Sequence, residues 1–129
     1  GRIDALLGEL FADYAIDPDR VAIAGFSDGA SYALSLGLNN PELFGSIVAI
    51  APGLLSSWPS DARSRILIVH GARDRVLPVE LSRDGLAPQL RAAGLEVEVS
   101  IHDGGHVLSD QIILDSVAWV DWYGVNVLP

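Results

Sequence analysis

The sequence predicts an α/β fold in which a parallel sheet of about four strands is flanked by helices. Three observations carry that expectation. Short apolar runs (Val21-Ala22-Ile23-Ala24, Ser46-Ile47-Val48-Ala49-Ile50 and Ile66-Leu67-Ile68-Val69) lack the polar alternation of a half-wet strand. Strands buried on both faces of a parallel sheet read this way. Helix-length stretches separate these runs, and strands alternating with helices indicate parallel pairing with helices on the faces of the sheet. Glycine and proline punctuate the boundaries, at Asp17-Pro18, Asn39-Asn40-Pro41 and Gly94.

In chain order, residues 3–14 place Ile3, Leu6, Leu7, Leu10 and Phe11 on one helical face. Residues 20–24 form the first strand. Residues 27–38 read as a helix with Tyr32, Leu34, Leu36 and Leu38 available for packing, stopped by Asn39-Asn40-Pro41. Residues 46–50 are the second strand, and residues 51–64 a Pro/Gly/Ser-rich loop that contains Trp58. Residues 66–69 are the third strand. Residues 79–93 are mostly helical, and Pro88 must kink or interrupt them. Residues 96–101 alternate polar and apolar, as an edge strand does. Residues 108–123 make the last helix, with Ile112, Ile113, Val117, Trp119 and Val120 for packing; Trp119 and Trp122 are read as packing residues. No repeat or second-domain linker interrupts the pattern, so residues 1–129 read as a single domain.

Composition narrows the function. The 129 residues are 50% hydrophobic, enough for one domain with a core. A formal net charge of -9 argues against nucleic acid and anionic membrane surfaces as partners. No apolar run approaches the roughly 20 residues needed to span a bilayer. Cysteine is absent, which excludes disulfides, cysteine catalysis and thiolate metal sites. With three histidines in separate surroundings, no metal site or cofactor is expected. The chain opens on Gly1-Arg2 and contains no methionine, as expected of a piece processed or excised from a longer protein.

The chemistry is concentrated at three strand ends. Gly25-Phe26-Ser27-Asp28-Gly29 stands between the first strand and the next helix. A strand, G-x-S-x-G and a helix together form a sharp turn that exposes a serine at the top of the sheet, next to the positive end of the helix. Gly25 and Gly29 are both expected to flank a bend too crowded for a Cβ. The third strand ends in His70-Gly71-Ala72-Arg73-Asp74-Arg75-Val76-Leu77-Pro78, and the fourth in His102-Asp103-Gly104-Gly105-His106. Ser27, Asp74 and His106 thus all fall at C-terminal strand ends, where open α/β sheets bind ligands. His102 competes with His106 for the role of base. Asp103 and Asp110 compete with Asp74 for that of acid. His70 is read as structural, packed beneath the acid turn, and Trp58 as loop packing or as the wall of an acyl pocket.

The stretches Gly25-Phe26-Ser27-Asp28-Gly29-Ala30-Ser31, His70-Gly71 with Asp74 and Leu77-Pro78, and Gly104-Gly105-His106 resemble the α/β-hydrolases of esterase type. The similarity is to the phospholipase/carboxylesterase and dienelactone-hydrolase-like branch. It implies Ser27 as nucleophile, Asp74 as acid, His106 as general base and the backbone N–H of Asp28 as one oxyanion donor. It also implies a small-molecule ester as substrate. The resemblance runs along nearly the whole chain but matches only the C-terminal half of that fold. The N-terminal strands and the loop that donates the second oxyanion N–H are expected to be missing. A truncated sheet would expose its first strand as an edge, so either a homo-oligomer or a preceding segment is expected to complete it. Two function classes follow: a serine esterase acting through an acyl-enzyme, or a weakly active or non-catalytic hydrolase-like module serving structure or interaction.

Overall fold

A computed structural model describes residues 21–55 and 57–127 of the chain. The helix expected over residues 3–14 lies outside them. Four parallel strands form one sheet in sequential order: β1 (Ala22–Phe26), β2 (Ser46–Ile50), β3 (Arg65–Gly71) and β4 (Val97–His102). Helix α1 (Asp28–Asn39) follows β1. A π-helical stretch, Leu81–Leu86, runs directly into α2 (Ala87–Ala92) between β3 and β4, and α3 (Asp110–Val127) follows β4. The register is unbroken, from Ala22 opposite Ser46 to Phe26 opposite Ile50, and on to Ile50 opposite Val69. β1 therefore extends two residues beyond the expected strand, up to the residue before Ser27.

All five residues of β2 are buried, which explains why its sequence does not alternate. Alternation reappears in where the side chains go. Ile47, Ala49, Ile66 and Ile68 pack with Ala30, Ala33, Leu34 and Leu38 of α1 and with Leu86, Ala87 and Leu90 of the π/α2 unit. Val48, Ile50, Leu67 and Val69 face the other way, towards Ile112, Trp119 and Val120 of α3. Each fully buried Leu or Ile contributes about 1.5–3 kcal/mol over exposure.

Several expectations are corrected here. The buried face of α1 is Ala30, Ala33, Leu34, Gly37 and Leu38, a spacing of three and four. Tyr32 is 55% exposed, because residues 32, 34, 36 and 38 follow a strand period that a helix cannot bury together. On α3 the packed face runs through Ile112, Ser116 and Trp119 at spacings of four and three, so Ile113 and Val117, one position round from it, are exposed. That helix begins at Asp110, and the Ile112 N–H donates to the Oγ of Ser109 at 3.2 Å, an N-terminal cap. The interruption expected at Pro88 is a change of winding and not a break: the π stretch runs up to it, with the Ala87 N–H bonded to the Ser82 carbonyl five residues back, and α2 begins with the proline in its first turn. Trp58 and Trp119 both pack against core clusters; the Trp122 side chain lies outside the described set. No helix among the described residues is long and apolar enough to cross a membrane.

Candidate active site

Parallel strands place all their C-terminal ends on one edge, and the loops after β1, β3 and β4 converge there. Ser27 forms the turn from β1 into α1, with φ 58° and ψ -118°, a conformation that L residues rarely adopt. Its N–H donates to the Ile50 carbonyl at 2.9 Å, which ties the turn to β2. Its carbonyl accepts the N–H groups of Ala30 and Ser31 and so starts the helix. The side chain takes no part in capping α1. The bend is tight at Gly25, where a Cβ would run into the Gly29 carbonyl and the Ala30 nitrogen. Gly29 does not match the expectation made for it: a Cβ there meets nothing within 4 Å. The crowding is one-sided, because the strand passes beneath the helix while Gly29 faces outward.

His106 Nε2 lies 2.9 Å from Ser27 Oγ, and His106 Nδ1 lies 2.7 Å from Asp74 Oδ2. The three residues, far apart in sequence, thus form one hydrogen-bonded series. Asp74 is buried, and its other oxygen, Oδ1, accepts the N–H groups of Val76 at 2.9 Å and Leu77 at 2.8 Å. Burial alone pushes this carboxyl up. The Leu77 N–H, the His106 ring and the Val76 N–H together outweigh burial and hold it below the usual carboxylate value. An ionised Asp74 can only accept, so Nδ1 of a neutral His106 carries its proton and the Nε2 lone pair faces the Ser27 hydroxyl. Phe26 packs on the His106 ring, with centroids 4.8 Å apart and planes tilted by 36°, and shields one face of it.

The competing residues lie elsewhere. His102 Nδ1 accepts the Gly104 N–H at 3.0 Å and shapes the turn that carries His106. Asp103 and Asp110 are exposed. His70 is fully buried beneath the acid turn. Asp28 is exposed and opens the first turn of α1, where a backbone N–H has no intrahelical acceptor. Among the described residues no group of three His, Cys, Asp or Glu is placed to hold a metal ion.

Two contributors to this arrangement were assigned no role of their own from the sequence. Gly71 ends β3 against the His102–His106 turn; a Cβ there would strike the Gly104 and Gly105 carbonyls. Ser82 lies 2.6 Å from His70 Nδ1. Gly71 had a signal in its position at the close of an apolar strand. Ser82, twelve residues from its partner, had none.

A family model described as phospholipase/carboxylesterase matches residues 1–118. Acyl-protein thioesterase 1 of Gibberella zeae is 30% identical over 104 residues, covering 73% of this chain and 44% of its own length. The crystal structure of esterase PE8 superposes with a TM-score of 0.73 at 28% identity, covering 92% of this chain and 57% of that one. A carboxylesterase from Mesorhizobium loti gives 0.76 at 25% identity, with the same two coverages, 92% and 57%. The chain thus spans about half the length of the relatives it matches.

Proposed function

The chain belongs to the phospholipase/carboxylesterase family, and from that premise we propose that it is a serine hydrolase that cleaves small-molecule carboxylic esters through an acyl-enzyme. The observation that carries this reading is the hydrogen-bonded series Ser27–His106–Asp74 at the sheet edge. Ser27 Oγ attacks the ester carbonyl while its proton passes to His106 Nε2. Asp74 holds the imidazole in the tautomer that leaves Nε2 free and stabilises the imidazolium. The tetrahedral oxyanion forms beside the Asp28 N–H, at the positive end of α1. Collapse expels the alcohol, which takes the proton from His106. Water, activated by the same ring, then releases the acid and restores Ser27.

The likeness to a named acyl-protein thioesterase brings thioesters in as a second substrate class, with a thiol as the leaving group. Substrate choice within these classes lies in pocket loops that the Ser-His-Asp set does not specify. Residues 1–129 are read as one hydrolase-like domain. Asp28 is the oxyanion donor assigned among the described residues, and losing one such donor costs roughly 10²–10³ in rate. The alternative reading is a weakly active or non-catalytic hydrolase-like module serving structure or interaction.

The test compares the wild type with Ser27→Ala on p-nitrophenyl acetate and on a fluorophosphonate probe. Turnover and covalent labelling that both vanish in Ser27→Ala are expected. A wild type that is neither labelled nor active, or a variant that keeps both properties, defeats the esterase reading.

A further inference from the structure

One buried cluster beneath the site is not used by the reaction as described. His70 is the next-to-last residue of β3, and its side chain is wholly out of solvent. Its Nε2 lies 2.6 Å from the Leu77 carbonyl and 3.4 Å from Asp74 Oδ2. Its Nδ1 lies 2.6 Å from the Oγ of Ser82, itself fully buried in the π-helical stretch. A carbonyl can only accept, so Nε2 carries the proton, and in the neutral ring Nδ1 accepts from the Ser82 hydroxyl. The ring therefore clamps the acid turn at its far end. Leu77 is the residue whose N–H donates to Asp74 Oδ1, while its carbonyl is gripped by His70.

We propose that His70 is a positioning residue for the acid of the site. Through the Leu77 peptide it fixes where the Asp74 carboxylate sits under His106, and Ser82 holds its tautomer. The proposal rests on the reading of Ser27, His106 and Asp74 as the reacting set. The local winding fits this role. A π turn places Ser82 on the inner side of the helix start, beside β3, and such turns often accompany functional sites. A residue that merely filled space would need neither of the two short polar contacts.

Two substitutions separate the halves of the ring. His70→Gln keeps a donor where Nε2 stood, so it can still hold the Leu77 carbonyl. His70→Asn keeps a polar group near Ser82 but cannot reach Leu77. The expected result is a fall in kcat on p-nitrophenyl acetate of about 10- to 100-fold for His70→Asn, with little change in KM. His70→Gln should stay within a few-fold of wild type, and Ser82→Ala should fall between them. The proton resonance of His106 Nδ1–H, read by NMR without substrate, should shift in His70→Asn and stay in place in His70→Gln. Equal effects of Asn and Gln, or losses that track only the thermal midpoint, overturn the proposal. If His70→Asn does not fold, Ser82→Ala decides, and an unchanged kcat and resonance there overturn it. Failure of the esterase reading looks different: the wild type itself is inactive and unlabelled, and the NMR comparison still decides the role of His70.

Discussion

Ser27 shows how much of this site is a backbone property. An L residue at φ 58° and ψ -118° is held against its own preference, at a cost of about 1–3 kcal/mol. The Ile50 carbonyl and the start of α1 impose that conformation, and it leaves the hydroxyl free for His106. Gly25 makes the bend possible and Gly29 does not, which separates two glycines that look equivalent in the motif. Gly25→Ala should destabilise the fold by about 3 kcal/mol, since backbone and not a yielding side chain stands in the way. Gly29→Ala, within the first turn of α1 with open space around it, should be neutral or gain a few tenths of a kcal/mol. Urea unfolding midpoints compare them directly, and equal losses would remove the one-sided account of the turn. Asp74 supports a second expectation. Its folded carboxyl lies below the ordinary value of 3.8, so between the two pKa values the unfolded chain binds more protons. The stability it contributes is fully present above the ordinary value and is lost as pH falls through the folded one. Midpoints measured from about pH 5 down to about pH 2 should therefore decline more steeply in wild type than in Asp74→Asn. Parallel declines would mean that the carboxylate is not held by its neighbours.

At the level of elements, the sheet was readable because β2 and β3 are uniformly apolar, and few alternatives exist for such runs between helices. The same parallel order makes three distant loops neighbours, so Ser27, Asp74 and His106 could be read as a set before any distance was known. Helix faces were harder to assign. Tyr32, Ile113 and Val117 were assigned to packing, yet they lie off the buried faces that run through Ala30, Ala33 and Leu34 and through Ile112 and Ser116. The π winding before Pro88 was not legible either. Proline signals only the loss of an N–H and a clash one turn back, and whether the chain breaks, kinks or widens depends on what the neighbouring turn packs against. Here Leu86, Ala87 and Leu90 stay in the core, so widening keeps the buried face continuous across the proline. Partners of Asp74 such as the Val76 and Leu77 N–H groups come from turn geometry, which a list of side chains does not encode.

For the molecule as a whole, the two faces of the sheet are unequal. The face under α1 and α2 carries a dense cluster, whereas the face under α3 carries a smaller one, with Ile113, Leu114 and Val117 left exposed. β1 has a single partner strand among the described residues, and beside it Ala24, Phe26, Leu108, Ile113 and Val117 border a shallow apolar hollow. An edge strand next to apolar surface invites pairing with another chain. The expectation that a second copy joins there is tested by sedimentation, where the coefficient should rise with concentration. Val117→Glu places a charge on that surface, away from the Ser27–His106–Asp74 series, and forfeits the burial of one valine, about 1.5 kcal/mol or more. Since each 1.4 kcal/mol is tenfold in an equilibrium, association should weaken about tenfold, while labelling of Ser27 stays as in wild type. A wild type that sediments as a monomer at every concentration, or a Val117→Glu chain that associates equally well, would show that this surface does not join copies of the chain.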